Sequence, residues 1–156
     1  MFNSPTFGSL SLSAVRDKVL RFMESASDYK YHMVIGTDSI AKNGEGVDFV
    51  TAIIVHRVGY GGIYFWRRTC EKKHMVLRTR IYQEAILSLA CAQEVLDVFK
   101  NDGITKYDVE IHVDVGDGGE TREMISELVG MVKGSGFPVK TKPYSYGASK
   151  VADRHT

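Results

Sequence analysis

The stretch Tyr31-His32-Met33-Val34-Ile35-Gly36-Thr37-Asp38-Ser39 decides how the rest of this chain is read. His32 to Ile35 is apolar and β-branched enough for a strand with both faces covered, and Gly36, Asp38 and Ser39 are residues that end such a run. The stretch therefore predicts a buried strand that stops on a carboxylate. Where helices flank a sheet, ligands gather outside the carboxyl ends of its strands, which makes Asp38 a candidate site residue. The competing reading is that Asp38 and Ser39 only hydrogen-bond their own backbone to begin a turn. The company Asp38 keeps later in the chain decides between the two.

Downstream, Ala41 to Gly46 contains the turn pair Asn43-Gly44, and Asp48 to His56 is a second strand, which predicts an antiparallel hairpin. After the glycine-rich turn Gly59 to Gly62, Ile63 to Cys70 reads as a third strand, polar enough to lie at the sheet edge. A helix is predicted from about Thr79 to Lys100, with Ile81, Ala85, Leu89, Ala92, Leu96 and Phe99 as its apolar stripe. At about 100° per residue Glu84 lies on the flank of that stripe, within reach of the sheet, whereas Glu94 points away. Glu84 is also explained by the helix dipole, which favours a carboxylate in the first turn. Tyr107 to Val115 is a fourth strand, alternating Val109, Ile111, Val113 and Val115 with Glu110, His112 and Asp114. A right-handed crossover returns it parallel to the first strand, so that Asp38 and Asp114 end neighbouring strands within reach of one metal ion. Glu120 to Lys133 reads as a helix stopped by Gly134 and Gly136, Phe137 to Thr141 as a short edge strand, and Ser145 to Thr156 as a closing helix carrying Asp153.

Before the first strand, Met1 to Ser9 reads as an extended arm with Phe2 and Phe7 as anchors. A helix capped by Ser11 or Ser13 then carries Val15, Val19, Leu20, Phe22 and Met23. The 156 residues fit one domain, with arm and helix over 1–30 and a core over 31–156. A net charge of +1 excludes a general polyanion coat, so nucleic-acid contact needs a local patch. Arg67, Arg68, Lys72, Lys73, His74, Arg78 and Arg80, set against Glu71 alone, form such a run, and read either as a phosphate-gripping surface or as a solvated face. Cys70 and Cys91 lack the spacing of a zinc site or a disulfide framework, and reduced thiols point to a cytoplasmic protein. No apolar run approaches the length of a membrane span, and no basic start with an apolar core marks a leader.

The order β-β-β-α-β-α-β-α, with Asp38, Glu84, Asp114 and Asp153 at those positions, resembles the ribonuclease H-like superfamily over Tyr31 to Thr156. Tyr82-Gln83-Glu84-Ala85 resembles its Glu-bearing helix and Val151-Ala152-Asp153-Arg154 its closing segment. More closely, Ile35 to Ser39, Asp114 to Gly119 and the ending Lys142-Pro143, Ser145-Tyr146, Ala152-Asp153 resemble an uncharacterised bacterial family of that clan. The resemblance implies an α/β fold with a five-stranded mixed sheet in the order 3-2-1-4-5, flanked by helices, with an extra N-terminal helix. It also implies that Asp38, Glu84, Asp114 and Asp153 hold two divalent cations. Two ions about 4 Å apart activate the attacking water and stabilise the leaving oxygen of a phosphodiester. Carboxylates are hard oxygen ligands suited to Mg²⁺ or Mn²⁺. The glycine-rich loop after Asp114 adds Asp117 and Glu120, which makes Asp117 an alternative ligand, and His155 stands beside Asp153. No basic protrusion for an RNA–DNA hybrid is present in the sequence.

The expected function is thus metal-dependent hydrolysis of nucleic acid. Two alternatives stand beside it. One is a non-catalytic nucleic-acid-binding protein of the same fold. The other is a nucleotide-binding protein, suggested by the likeness of Gly36-Thr37-Asp38 and Asp114 to Gly119 to the phosphate loops of actin-like kinases, which however need two such domains.

Overall fold

The computed structural model describes the backbone of residues 1–156 and every side chain except that of Glu120. Its strands are β1 (Phe2–Ser4), β2 (Gly8–Leu10), β3 (Tyr31–Lys42), β4 (Gly46–Arg57), β5 (Gly62–Glu71), β6 (Val109–His112) and β7 (Val139–Lys140), and its α-helices α1 (Leu12–Glu24), α2 (Leu77–Val98) and α3 (Ile125–Gly134). They form one mixed sheet in the order β2-β1-β5-β4-β3-β6-β7. The five strands from β5 to β7 keep the expected 3-2-1-4-5 arrangement: β3 to β5 are antiparallel, and β6 and β7 return parallel.

The sheet has seven strands rather than five because the N-terminal arm is itself a hairpin. β1 and β2 pair from Phe2–Leu10 to Ser4–Gly8, and Asn3 pairs with Trp66, so β5 is an inner strand and not the edge. Phe2 is buried, with the Arg67 guanidinium 4.9 Å from its ring centre, and Phe7 stacks on Phe65. Three-residue strands carry too little alternation to be seen in sequence.

Strand alternation sorts the side chains onto two faces. Met33, Ile35, Ile53, Val55, Phe65 and Ile111 join the main core beneath α1, α2 and α3. On that face Thr37 bonds Thr51 and Ser88, satisfying three buried hydroxyls. Val34, Val50, Ala52 and Ile54 point the other way, onto Ala152 of the chain's end. α1 starts at Ser11, whose hydroxyl accepts the Ala14 N–H, and buries Val15 and Val19. Arg16 clamps Asp102, just past α2, with two bonds of 2.8 and 2.9 Å.

The closing helix is shorter than expected and is not α-helical: a wider π-helical turn over Gly147–Ala152 runs into a tighter 3₁₀ turn over Asp153–His155. A six-residue stretch near Gly119 (Gly119–Met124) is likewise 3₁₀ and precedes α3. Among the described residues, no helix is long and apolar enough to cross a membrane.

Candidate metal centre

β3 does not stop on Asp38. It continues beside β4 to Lys42, because the hairpin with β4 stays in register all the way to Gly46. What ends near Asp38 is the parallel ladder with β6, whose last pair is Gly36 with His112. Asp114 correspondingly lies two residues beyond β6 rather than at its end. The backbone there is turned toward β7, with the Val113 N–H donating to the Lys140 carbonyl. Asp38 and Asp114 each follow the last pair by two residues and therefore share a face and a level on neighbouring strands.

The closing segment brings Asp153 to them. Gly36 permits this: a Cβ there would lie 2.5 Å from Ala148 N and 2.6 Å from the Gly147 carbonyl carbon. Buried His112 fixes where the segment begins, since its Nδ1 accepts the Gly147 N–H at 3.0 Å and its Nε2 meets Glu110 Oε1 at 2.7 Å. With Nδ1 accepting, the ring proton sits on Nε2, and burial pushes the imidazole pKa down. At the far end His155 stacks on Trp66 at 4.4 Å and bonds the Tyr64 hydroxyl, while Arg68 donates to the His155 carbonyl. His155 is thus an anchor for the segment. Gly36, which the sequence reading placed at a strand end and in a phosphate-loop likeness, and Glu110, His112 and Gly147, which it gave no role, are positioning residues.

Glu84 arrives from the other face. The buried seam of α2 runs through Ile81, Glu84, Ala85, Ser88, Cys91, Ala92 and Val95, so Glu84 lies in the seam and not on its flank. The seam is rotated because Ser88 and Glu84 both find hydroxyl partners on β3. Ser39 Oγ donates to Glu84 Oε1 at 2.6 Å and accepts from Arg80 Nε at 3.2 Å. Glu94 is exposed, yet it does lean toward the sheet, pairing with Arg67 of β5 at 2.7 Å, away from the acids.

The electrostatics show that these carboxyls feel one another. Burial, then a side-chain hydrogen bond with Asp153, lifts the Asp38 pKa to about 7, with Asp114 adding to the shift. Burial lifts Glu84 to about 8; the charges of Asp38 and Asp114 push the same way, against Ser39 and Arg80. Asp114 Oδ1 is buried with no hydrogen-bond partner among the described residues, and Lys142 Nζ stands 3.5 Å from it. Like charges crowding Asp38 and Glu84, hard oxygen donors and a carboxylate oxygen that has an ion pair but no hydrogen bond fit a divalent cation. The fit is one of chemistry and not of ready-made geometry. Among the described residues no group of three or more His, Cys, Asp or Glu converges closely enough to hold an ion. Each carboxyl is instead turned to a protein partner: Asp38 to Asp153, Glu84 to Ser39, Asp114 to Lys142.

The sequence model described as Ribonuclease H-like matches residues 14–156. The chain belongs to the ribonuclease H-like family. It is also similar to the Bacillus subtilis (strain 168) "Uncharacterized protein YkuK", at 29% identity over 173 aligned residues that take in 100% of this chain and 96% of that protein.

The other residues expected at the site of this ribonuclease H-like chain are scattered. Asp117 is exposed in the loop after Asp114, without a hydrogen bond or ion pair among the described residues, and the Glu120 side chain lies outside those residues. The basic run is not one surface. Arg67 and Arg68 are strand neighbours on opposite faces, Arg67 bound to Glu94 and Arg68 reaching His155 and Asp48. Arg80 is bound to Ser39, and Arg78 reaches Glu127 at 3.5 Å. Lys72, Lys73 and His74 stand exposed between β5 and α2.

Proposed function

We propose that this chain hydrolyses phosphodiester bonds in nucleic acid, using Mg²⁺ or Mn²⁺ held by Asp38, Glu84, Asp114 and Asp153. The observation that carries the reading is the meeting of Asp38 and Asp153, 115 positions apart in sequence, at a place where burial and the neighbouring Asp153 disfavour the charged form of Asp38. When bound, the metal supplies charge for the transition state and a water acidified to near neutrality. The protein's own part is to hold the acids. Ser39 and Arg80 orient Glu84, Gly36 and His112 seat the segment bearing Asp153, and the Trp66–His155 stack keeps that segment down. Lys72 and Lys73, beside exposed His74 and the Glu127-paired Arg78, are the cations placed to meet a phosphate backbone, and Asp117 is an outer ligand only if its loop folds inward.

A non-catalytic nucleic-acid-binding protein is the second reading. The Lys142–Asp114 pair favours it, because a lysine already neutralises one of the acids. One experiment separates the two. Labelled RNA, single-stranded DNA and hybrid are incubated with the protein in Mg²⁺ and in Mn²⁺, alongside Asp38→Asn, Asp153→Asn and Glu94→Gln. Cleavage by the wild type and Glu94→Gln, lost in both Asn variants, is the expected result. Binding without cleavage under every condition assigns the second reading, and cleavage surviving Asp38→Asn removes the metal centre.

A further inference from the structure

On the sheet face that carries Asp38, the closing segment covers only the upper part, where Ala152 packs on Val34, Val50, Ala52 and Ile54. The lower end of that face is open. His32 of β3 and His56 of β4, paired across the hairpin, share a groove of about 520 Å³ there with Glu110 of β6, Lys140 of β7, Tyr144 and Tyr146. None of these six belongs to the acid cluster. Asp38 is six residues further along β3, about 20 Å away.

The groove is chemically incomplete. Glu110 has one oxygen engaged by His112, while its Oε2 has, among the described residues, His32 Nε2 alone as an ion-pair partner, at 4.0 Å. Lys140 makes no ion pair among the described residues, and the Tyr146 hydroxyl is buried without a hydrogen-bond partner among them. Tyr144 holds its ring 70% exposed beside these groups. An open carboxylate oxygen selects a ligand with N–H donors, a lone ammonium selects an anion, and an exposed ring selects a flat partner. The volume lies within the range of small-molecule sites. An amino acid would satisfy the two charges but leave the ring and most of the volume unused.

We propose that this groove binds a guanine nucleotide, with base N–H groups on Glu110, the ring against Tyr144 and the phosphate on Lys140. Guanine is the base whose edge offers two adjacent N–H donors to one carboxylate. The same chemistry comes from a free nucleoside monophosphate or from a guanine within a single strand. The second source rests on the phosphodiesterase reading, since such a strand would continue along the face toward Asp38.

Calorimetric titrations in chelator with GMP, AMP and a short single-stranded oligonucleotide containing one guanine test the assignment and its source. They use the full chain, Asp38→Asn, Glu110→Gln, Lys140→Ala and Tyr144→Ala. GMP should bind with a dissociation constant below about 1 mM and AMP about tenfold more weakly. Lys140→Ala and Tyr144→Ala, both at exposed positions, should each weaken GMP about tenfold, Glu110→Gln should erase the preference over AMP, and Asp38→Asn should leave the affinity for GMP where it was. An oligonucleotide binding tighter than GMP identifies the strand as the ligand, and equal or weaker binding identifies the free nucleotide. GMP binding that both Ala variants leave intact, AMP binding equal to GMP, or no heat with any ligand up to about 10 mM overturns the proposal. Nucleotide binding by a protein that fails the cleavage assay leaves the groove assigned and removes only the nuclease reading.

Discussion

Replacing Glu84 with Gln should stabilise the metal-free protein, and increasingly so as pH rises. Burial, with help from Asp38 and Asp114, lifts this carboxyl from 4.5 to about 8 in the folded state. Between those values the folded protein holds a proton that the unfolded chain has released. The associated stability is therefore fully present below pH 4.5 and is lost as pH climbs to about 8. At about 1.4 kcal/mol per factor of ten, the loss is at most about 4 to 5 kcal/mol. Local opening and water entry beside Arg80 should reduce it to about 2 to 3 kcal/mol. Gln keeps an oxygen for the Ser39 hydroxyl and never ionises, so the variant should match the wild type near pH 5. By pH 9 it should melt about 5 to 10 °C higher. The assay is thermal and urea unfolding in chelator across this range at constant ionic strength. Stability curves that run parallel, or a wild type more stable than Glu84→Gln at pH 9, would refute the account of Glu84 as a buried member of a repelling cluster.

Gly36→Ala should cost about 1 to 3 kcal/mol in denaturant melts, because its Cβ meets backbone atoms that cannot step aside. Gly130→Ala, in α3 with nothing within 4 Å of the new carbon, should be neutral or stabilising by about 0.5 to 1 kcal/mol. For nucleic-acid binding, replacing Lys72, Lys73 and Arg78 with Ala should flatten the slope of log affinity against log salt by about 0.7 to 0.9 for each phosphate no longer neutralised. An unchanged slope would make these residues a solvated face.

Much of this arrangement was legible because it rests on periodicity and chain order. The parallel return of β6 beside β3 follows from the crossover rule, and chain order alone aligns Asp38 with Asp114. Helical phase separated Glu84 from Glu94, although it misjudged both: Glu84 lies deeper because Ser39 gives it a buried partner, and Glu94 reaches β5 through a long Arg67. What stayed hidden depends on contacts between segments far apart in sequence. That β3 runs on to Lys42 is a property of the β4 hairpin, not of residues 38–42. The close approach of Gly36 to Gly147, and the tether from Glu110 through His112, exist only once the closing segment lies on the sheet. The basic run looked continuous because a strand's alternation does not show in a count of charges: Arg67 and Arg68 are adjacent in sequence and on opposite sides of the protein.

The N-terminal hairpin bears on how this molecule behaves at high concentration. Without it, β5 would offer ten residues of strand, Gly62–Glu71, with one side unpaired, a ready template for a second copy. With β1 and β2 in place, the free edge of β5 is interrupted at its middle, where Asn3 pairs with Trp66, and at the other side the sheet ends in two residues, Val139–Lys140, next to Pro138. The hairpin breaks the open side of β5 into two short stretches, one on each side of Trp66, in place of one continuous template. The first ten residues thus act as a stopper against self-association, and a chain trimmed of them would be expected to aggregate through β5 even if its acids and its core remained in place.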